Sequence, residues 1–366
     1  MKKKDIKIKK RIIAHLDMDA FFAAIEERDN PQFAGLAIVV GADPDDGRGR
    51  GVVSTANYKA REYGIRSAIP ISIAWRFSRA ALKLGKPATV FLPVDYEKYE
   101  RVSENIIKIA RRSAPLVEQA SVDEAYLDLS FCKTYKRAEN LCRQIKKEIR
   151  GREKLTCSVG IGPNKLVAKI ASDMKKPDGL TVVRPEEVLN FLGILSVRKI
   201  PGIGPKTEAL LRKQNVSTVS DLRKITRRAL RWQLGKWGED IYMKARGIDA
   251  SPVTEEYEAK SIGEQETFSR DTQDPGFMVE RLRILCKNII SRLGKEGWQS
   301  FRTAVITVRF SDFETKTRSQ TMLYESCDEN SLFLQALRLL LPFFDRRENP
   351  RQKKIRLVGI RIEKLK

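Results

Sequence analysis

Two short acidic motifs carry the chemistry that this chain can offer. Asp17 and Asp19 form an Asp-x-Asp pair at the end of an apolar strand-like run, Ile12 to Leu16, and Asp123 and Glu124 are adjacent between runs 117–122 and 125–129. In a sheet whose first and third strands are neighbours, Asp17, Asp123 and Glu124 meet on one edge. Three carboxylates in one place cannot all stay ionised without a counter-cation. Mg²⁺ suits all-oxygen ligands and keeps positions open for phosphates and water, with Mn²⁺ an acceptable substitute. Two such ions about 4 Å apart stabilise both the attacking and the departing oxygen of an in-line phosphoryl displacement. Asp19 reads either as a further member of this group or as a helix N-cap. Asp128 reads as a structural acid on a sheet face, and Asp312 and Glu314 as surface-turn residues.

The elements that must position these acids follow from periodicity. Asp17 leads into a helix reaching about Asp29. A loop rich in Gly, Asp and Arg spans Gly41 to Gly51, and Thr55 to Tyr63 reads as a helix. Tyr96 to Ser113 is helical; two almost abutting strands follow, then a helix over 135–150 and a strand over 155–161. Without residues 21–92 the order is strand, helix, strand, strand, helix, strand, the split order of a ferredoxin-like sheet. Residues 184–247 read as wholly helical and basic, and 248–259 as a polar linker. The last hundred residues repeat the strand and helix order, which predicts one sheet architecture used twice. The expectation is therefore an α+β multidomain protein, with the acids in the first sheet alone.

Composition narrows the partners. The net charge of +23 suits a polyanion, because neutralising phosphates releases condensed counterions. The basic residues are spread along the chain, which favours a long groove over a basic tail. His15 is the only histidine, which excludes a three-histidine zinc site or a histidine relay. Five cysteines without a Cys-x-x-Cys pair argue against disulfides or zinc and for a reducing cytoplasm. No apolar run reaches the roughly 20 residues of a membrane span. The Lys-rich start, Met1 to Arg11, does not read as a secretory signal.

Four segments in order, Leu16–Ala23, Ser54–Arg61, Ser121–Asp128 and Asn164–Lys169, make the chain resemble Y-family DNA polymerases, in their DNA polymerase IV-like branch. The resemblance runs from Arg11 onwards. It implies a ferredoxin-like palm (1–20 and 93–183), inserted small fingers (21–92), an all-helical thumb (184–247), a linker (248–259) and a β-α-β-β-α-β little finger (260–366) that grips DNA. It also implies that Asp17, the Met18 carbonyl, Asp123 and Glu124 bind two Mg²⁺ ions. Phe21, Phe22, Tyr58, Arg61 and Lys176 would contact the incoming nucleotide, with Phe22 as a steric gate against a ribose 2′-OH. Without the resemblance, Phe22 reads as a core residue and Lys176, like its neighbour Lys175, as surface charge.

Pro201 to Lys206 looks like a helix-hairpin-helix turn, in which Gly202, Gly204 and Lys206 approach a DNA phosphate. In the last domain Thr303, Val305, Thr307 and Arg309 alternate with Ala304, Ile306, Val308 and Phe310. That pattern predicts one core face and one polar face able to grip a DNA backbone. The partners implied are primer-template DNA and deoxynucleoside triphosphates, bound by a monomer. Members of the family often end in a clamp-docking peptide; the chain stops at Ile362–Lys366 without one, so sliding-clamp binding stays open. No further domain for a proofreading exonuclease is visible. The expected activity is low-fidelity translesion synthesis. The competing readings are a nucleotidyl cyclase-like palm enzyme and a non-catalytic DNA-binding protein.

Overall fold

A computed structural model describes residues 11–255 and 258–366. The basic start before Arg11, and two residues of the expected linker, lie outside the described residues. The chain divides into two compact units; the second begins after residue 256 and also takes in Pro44–Gly51.

The first unit contains β1 (Ile13–Met18), α1 (Phe21–Asp29), β2 (Ala37–Gly41), β3 (Val53–Ala56), α2 (Tyr58–Glu62), α3 (Ile71–Lys83), β4 (Thr89–Leu92), α4 (Tyr96–Ser113), β5 (Val117–Gln119), β6 (Glu124–Asp128), α5 (Tyr135–Glu153), β7 (Cys157–Gly162), α6 (Lys165–Ser172) and β8 (Leu180–Val182). Short helices follow: α7 (Val188–Gly193), α8 (Pro205–Arg212), α9 (Val219–Lys224), α10 (Arg227–Leu234) and α11 (Lys236–Ala245).

The central sheet runs β5-β6-β1-β7-β8, with β1 antiparallel to both β6 and β7. Its first four members have the ferredoxin-like order, and β8 extends it parallel to β7. On one face Ala14, Leu16, Ala125, Leu127, Val159 and Ile161 pack against α4 and α5 in a single core. These helices form because Asp95 and Thr134 cap their first turns, and because each carries an apolar stripe at helical spacing. The stripes are Tyr99, Val102, Ile106 and Ala110 in α4 and Ala138, Cys142, Ile145 and Ile149 in α5. The larger apolar side chains among them, such as Ile106 and Ile145, each contribute about 1.5–3 kcal/mol when withdrawn from water.

Helix α6 covers the opposite face. Asn164 caps it by accepting a hydrogen bond from the Val167 amide at 3.0 Å. Gly160 on β7 lets it come close: a Cβ there would stand 2.0 Å from the Ala168 carbonyl oxygen and 2.3 Å from the Ser172 nitrogen. This close approach puts the side chains of α6 directly over His15 and Glu124.

Residues 21–92 differ from expectation in detail. They hold a three-stranded sheet, β3-β2-β4, and the helix expected over 55–63 begins only at Tyr58, because Val53–Ala56 pairs with β2. Helix α1 is not part of a separate core: Phe21, Ala23 and Ile25 are buried with Leu16 and Tyr99.

The second unit contains β9 (Ser261–Thr272), α12 (Pro275–Lys295), β10 (Phe301–Phe310), β11 (Thr315–Ser326), α13 (Glu329–Leu340) and β12 (Ile355–Glu363). The element order repeats that of the first sheet, but the strand order does not. It is β11-β10-β12-β9, so the first and third strands lie on opposite edges. The expectation of one architecture used twice is corrected accordingly. Both helices pack on one face, where Ala304, Ile306, Val308 and Phe310 join the core. The other face is less open than alternation predicts. Val305 and Thr303 are buried; Thr303 shares a hydrogen bond with Thr321 at 2.9 Å and Val305 lies opposite the long Arg361 side chain.

Substituting Gly160→Ala should lower stability by about 3 kcal/mol, because neither helix nor strand can yield enough for the added methyl. Chemical denaturation checks this, and a loss below about 1 kcal/mol would show that α6 is not held at that distance.

Candidate active site

Backbone register brings the first acids together. In the β1–β6 ladder Asp17 lies directly opposite Glu124, and the Met18 amide donates to the Asp123 carbonyl oxygen at 2.9 Å. The tight corner before β6 is built by Ser121. Its hydroxyl donates to Asp123 Oδ1 at 2.6 Å and accepts from the Glu124 amide at 3.0 Å.

Asp17 is almost fully buried. Burial, helped by the nearby charges of Glu124 and Asp123, raises its carboxyl to about 7 despite the opposing pull of Lys176. Lys176 Nζ stands 2.7 Å from Asp17 Oδ2 and 3.1 Å from Asp173 Oδ1, whereas Lys175 is exposed. Glu124 behaves in the opposite way. Burial pushes its carboxyl up, but the facing His15 ring and the Lys169 ammonium outweigh that and hold it down at about 2. Lys169 Nζ is ion-paired with Glu124 Oε2.

The three acids share one corner without converging on one point. Among the described residues, no three His, Cys, Asp or Glu side chains are grouped so as to hold a metal ion. Each of the three acids is engaged by another partner: Asp17 by Lys176, Glu124 by Lys169 and Asp123 by Ser121. A buried charge of one sign draws whatever positive or donor groups can reach it.

Asp19 is not a helix N-cap. Ala20 occupies that position in the left-handed conformation (φ 47°), and α1 has no side-chain cap. The Asp19 carboxylate instead accepts from Ser158 Oγ, Thr156 Oγ1 and the Asp178 amide, each at 2.8 Å. It therefore ties the end of β1 to β7 and to the loop that carries Lys176.

Around the acids, Tyr58 and Arg61 share one side of α2, with the guanidinium 4.7 Å from the ring centroid. Tyr58 hydroxyl reaches Asp19 Oδ1 at 3.4 Å, and Arg61 Nε donates to the Ala56 carbonyl at 2.9 Å. Phe22 is half-buried and stacks on Tyr99, with centroids 4.1 Å apart and planes 13° apart. Tyr99 is fixed in turn by its hydroxyl, which donates to Glu26 at 2.7 Å. Phe21 is 2% exposed and belongs to the core. It offers no ring surface to a nucleotide, so only the Phe21 backbone remains available for that expected contact.

The expected DNA-binding residues lie elsewhere. Gly202 has φ 99°, and a Cβ there would stand 2.0 Å from the Trp237 ring. Gly204 precedes α8, whose second residue, Lys206, is exposed. Arg309 is half-buried in the second unit, where its Nε donates to Thr315 Oγ1 at 2.9 Å. No helix among the described residues is long and apolar enough to cross a membrane.

Comparison with known proteins identifies the family. The impB/mucB/samB family profile matches residues 16–173 and its C-terminal domain profile matches 259–366. A profile described as DNA polymerase-iota, thumb domain, matches 198–249. DNA polymerase IV 2 of Methanosarcina mazei is 44% identical over 98% of this chain and 93% of its own length. The chain belongs to the Y family of DNA polymerases, in its DNA polymerase IV branch.

A second family member, DNA polymerase IV of Methanoculleus marisnigri, is 43% identical over 97% of this chain and 94% of its own. Among solved structures, the Y-family DNA polymerase chimera Dbh-Dpo4(243-245)-Dbh is 28% identical with a TM-score of 0.83, covering 97% of this chain and 99% of that one. The insertion ternary complex of Dbh DNA polymerase is 28% identical with a TM-score of 0.67, at the same coverages. The fold is accordingly the palm, fingers, thumb and little finger of this family.

Sequence reasoning missed His15, Lys169, Tyr99 and the hub role of Asp19 in this family member. Only the spacing of His15, two residues before Asp17 and thus on the same strand face, was available to point towards the first of them. Asp19→Ala should cost about 3 kcal/mol, since three donors lose a charged acceptor. Thermal and chemical unfolding read this; unchanged stability would deny Asp19 its anchoring role.

Proposed function

We propose that the chain is a template-directed, translesion-type DNA polymerase that adds deoxynucleotides to a primer 3′ end at the corner of Asp17, Asp123 and Glu124. The observation that carries the reading is the β1–β6 register, which sets Asp17 against Glu124 in a chain of this family. Neither competing reading, cyclase or non-catalytic DNA-binding protein, is favoured by the relatives.

The donor set fits divalent metal. It is all oxygen, and Asp17, raised to about 7 beside two further acids, is an excess of negative charge that a cation relieves. Asp17, the Met18 carbonyl, Asp123 and Glu124 would hold two Mg²⁺ or Mn²⁺ ions, which supply activation of the primer hydroxyl and neutralisation of the triphosphate. Lys176 and Lys169 must then give up their carboxylates. Lys176 can do so at little cost where a triphosphate replaces Asp17 as its anionic partner. Arg61 spends only Nε on the backbone, leaving both Nη groups for phosphate oxygens. The uncapped first turn of α1 adds free amides beside the same site.

Phe22, braced by Tyr99, forms a flat aromatic wall against a sugar 2′-hydroxyl. The amides and Lys206 at the 201–206 turn suit phosphate contacts that position DNA without reading it. The half-open sheet face of the second unit, with Thr307, Thr315, Thr317, Ser319 and the arginines Arg309 and Arg361, suits the same sequence-independent grip. The working form is a monomer that adds one or a few nucleotides per encounter.

Mg²⁺-dependent primer extension should fall on the order of a hundredfold or more in Asp17→Asn and Glu124→Gln. Robust extension by either variant removes the assigned site. Because Asp17 must lose its proton to bind metal, Mn²⁺ affinity of the protein alone should tighten as pH rises towards 7. Below that pH the affinity should fall roughly tenfold per unit. Titration calorimetry at several pH values reads this, and a flat profile from pH 5 to 8 contradicts it.

Phe22→Ala should admit ribonucleotides, measured as the ratio of kcat/KM for ribo- and deoxynucleotides. An unaltered ratio with an active variant would take the gate away from Phe22.

A further inference from the structure

His15 is fully buried, yet one of its two ring nitrogens has no hydrogen-bond partner. Nδ1 stands 2.8 Å from the Ser172 hydroxyl oxygen. Nε2 is the orphan, and it faces Glu124 Oε2 at 3.5 Å. The ring is held in place on its side by Tyr126, with centroids 4.6 Å apart. Glu124 Oε2 also receives Lys169 Nζ, so the imidazole and the ammonium address one oxygen.

Proton counting decides the tautomer. A neutral imidazole carries a single N–H, and Ser172 has a single hydroxyl hydrogen with two acceptors in reach. One is His15 Nδ1 and the other is the Lys169 carbonyl, each 2.8 Å away. If Ser172 donates to Lys169, His15 must carry its hydrogen on Nδ1, and the bare Nε2 lone pair then faces a carboxylate in a buried place. If Ser172 donates to Nδ1, the hydrogen sits on Nε2 and points at Glu124. Ser172 is satisfied in both arrangements, but only the second sets an N–H rather than a lone pair against the Glu124 carboxylate.

We propose that His15 is a positioning residue for Glu124: Ser172 locks the Nε2–H tautomer, and that N–H orients the carboxylate when Lys169 gives it up. The inference rests on the reading of Glu124 as a metal ligand. A metal-bound carboxylate needs a neutral donor on its other side, because a second cation there would compete for the same charge. Lys169 is that competing cation. His15 is the donor that can remain.

The sole histidine makes the idea directly readable. In the full chain labelled with ¹⁵N-histidine, long-range proton–nitrogen correlation should show one imidazole as the Nε2–H tautomer. Ser172→Ala should mix the two tautomers. His15→Gln keeps an N–H donor near the Nε2 position, whereas His15→Asn does not. The Asn variant should therefore bind Mn²⁺ about ten- to hundredfold more weakly in titration of the protein alone. Its kcat should fall by a similar factor, with the nucleotide KM changing less than twofold, while the Gln variant recovers most of both. An Nδ1–H tautomer in the wild-type chain overturns the proposal. So does an equal loss in the Gln and Asn variants that merely follows their melting temperatures. The tautomer is observed without turnover, so its failure is separate from a failure of primer extension.

Discussion

The pairing of Asp17 with Glu124 across two antiparallel strands is the constraint from which the rest of the first unit follows. A ladder places these side chains about 5 Å apart at Cβ, and like charges directly opposite one another are destabilising. Because Asp17 is also buried, solvent cannot dilute the repulsion. The surroundings respond with two lysines from α6 and the loop after it, with Ser121 at the corner and with His15 beneath. Gly160 allows the helix carrying Lys169 and Ser172 to come close enough. Packing and charge balance are thus one problem here: without the close approach of α6 the acids would lose their cations.

Rigidity near the acids comes from groups that do not take part in the chemistry. Asp19 gathers three donors from different segments, and so fixes the end of β1 against β7 and the Lys176 loop. Tyr99 performs a similar service for Phe22, whose ring stacks on it and is kept from retreating. By contrast, the charged groups that would meet substrate are held by few contacts, Lys176 by Asp17 and Asp173 and Arg61 by one backbone carbonyl, which can exchange for phosphate or metal without dismantling the fold. Firm supports behind exchangeable contacts suit an enzyme whose site must stay open to varied templates.

What could be read from the chain alone was the acid corner, because it depends on local things: a short apolar strand, a two-residue junction and the split strand order. The motif segments extended this to Phe22, Tyr58, Arg61 and Lys176 as named positions. The partners of these groups could not be read, since Lys169–Glu124, Lys176–Asp17 and His15–Ser172 join residues far apart in sequence through the docking of α6. The sheet of residues 37–92 escaped notice for a different reason. Its strands have four or five residues, and Ala37–Gly41 is buried throughout, so no alternation marks it. Phe21 shows the remaining gap: beside Phe22 in sequence, it turns into the core, and helical geometry alone separates the two.

The differing strand orders of the two sheets bear on how this chain could have come to hold a single reactive centre. In the second unit the first and third strands are separated by two others, so their ends lie roughly 14 Å apart. Acids introduced at the equivalent positions of β9 and β11 could not share an ion across that gap. The duplicated element order therefore conceals an asymmetry that point substitution cannot undo. Only a re-threading of the strands could give the second sheet a catalytic corner, and that leaves its surface free to diversify as a binding platform.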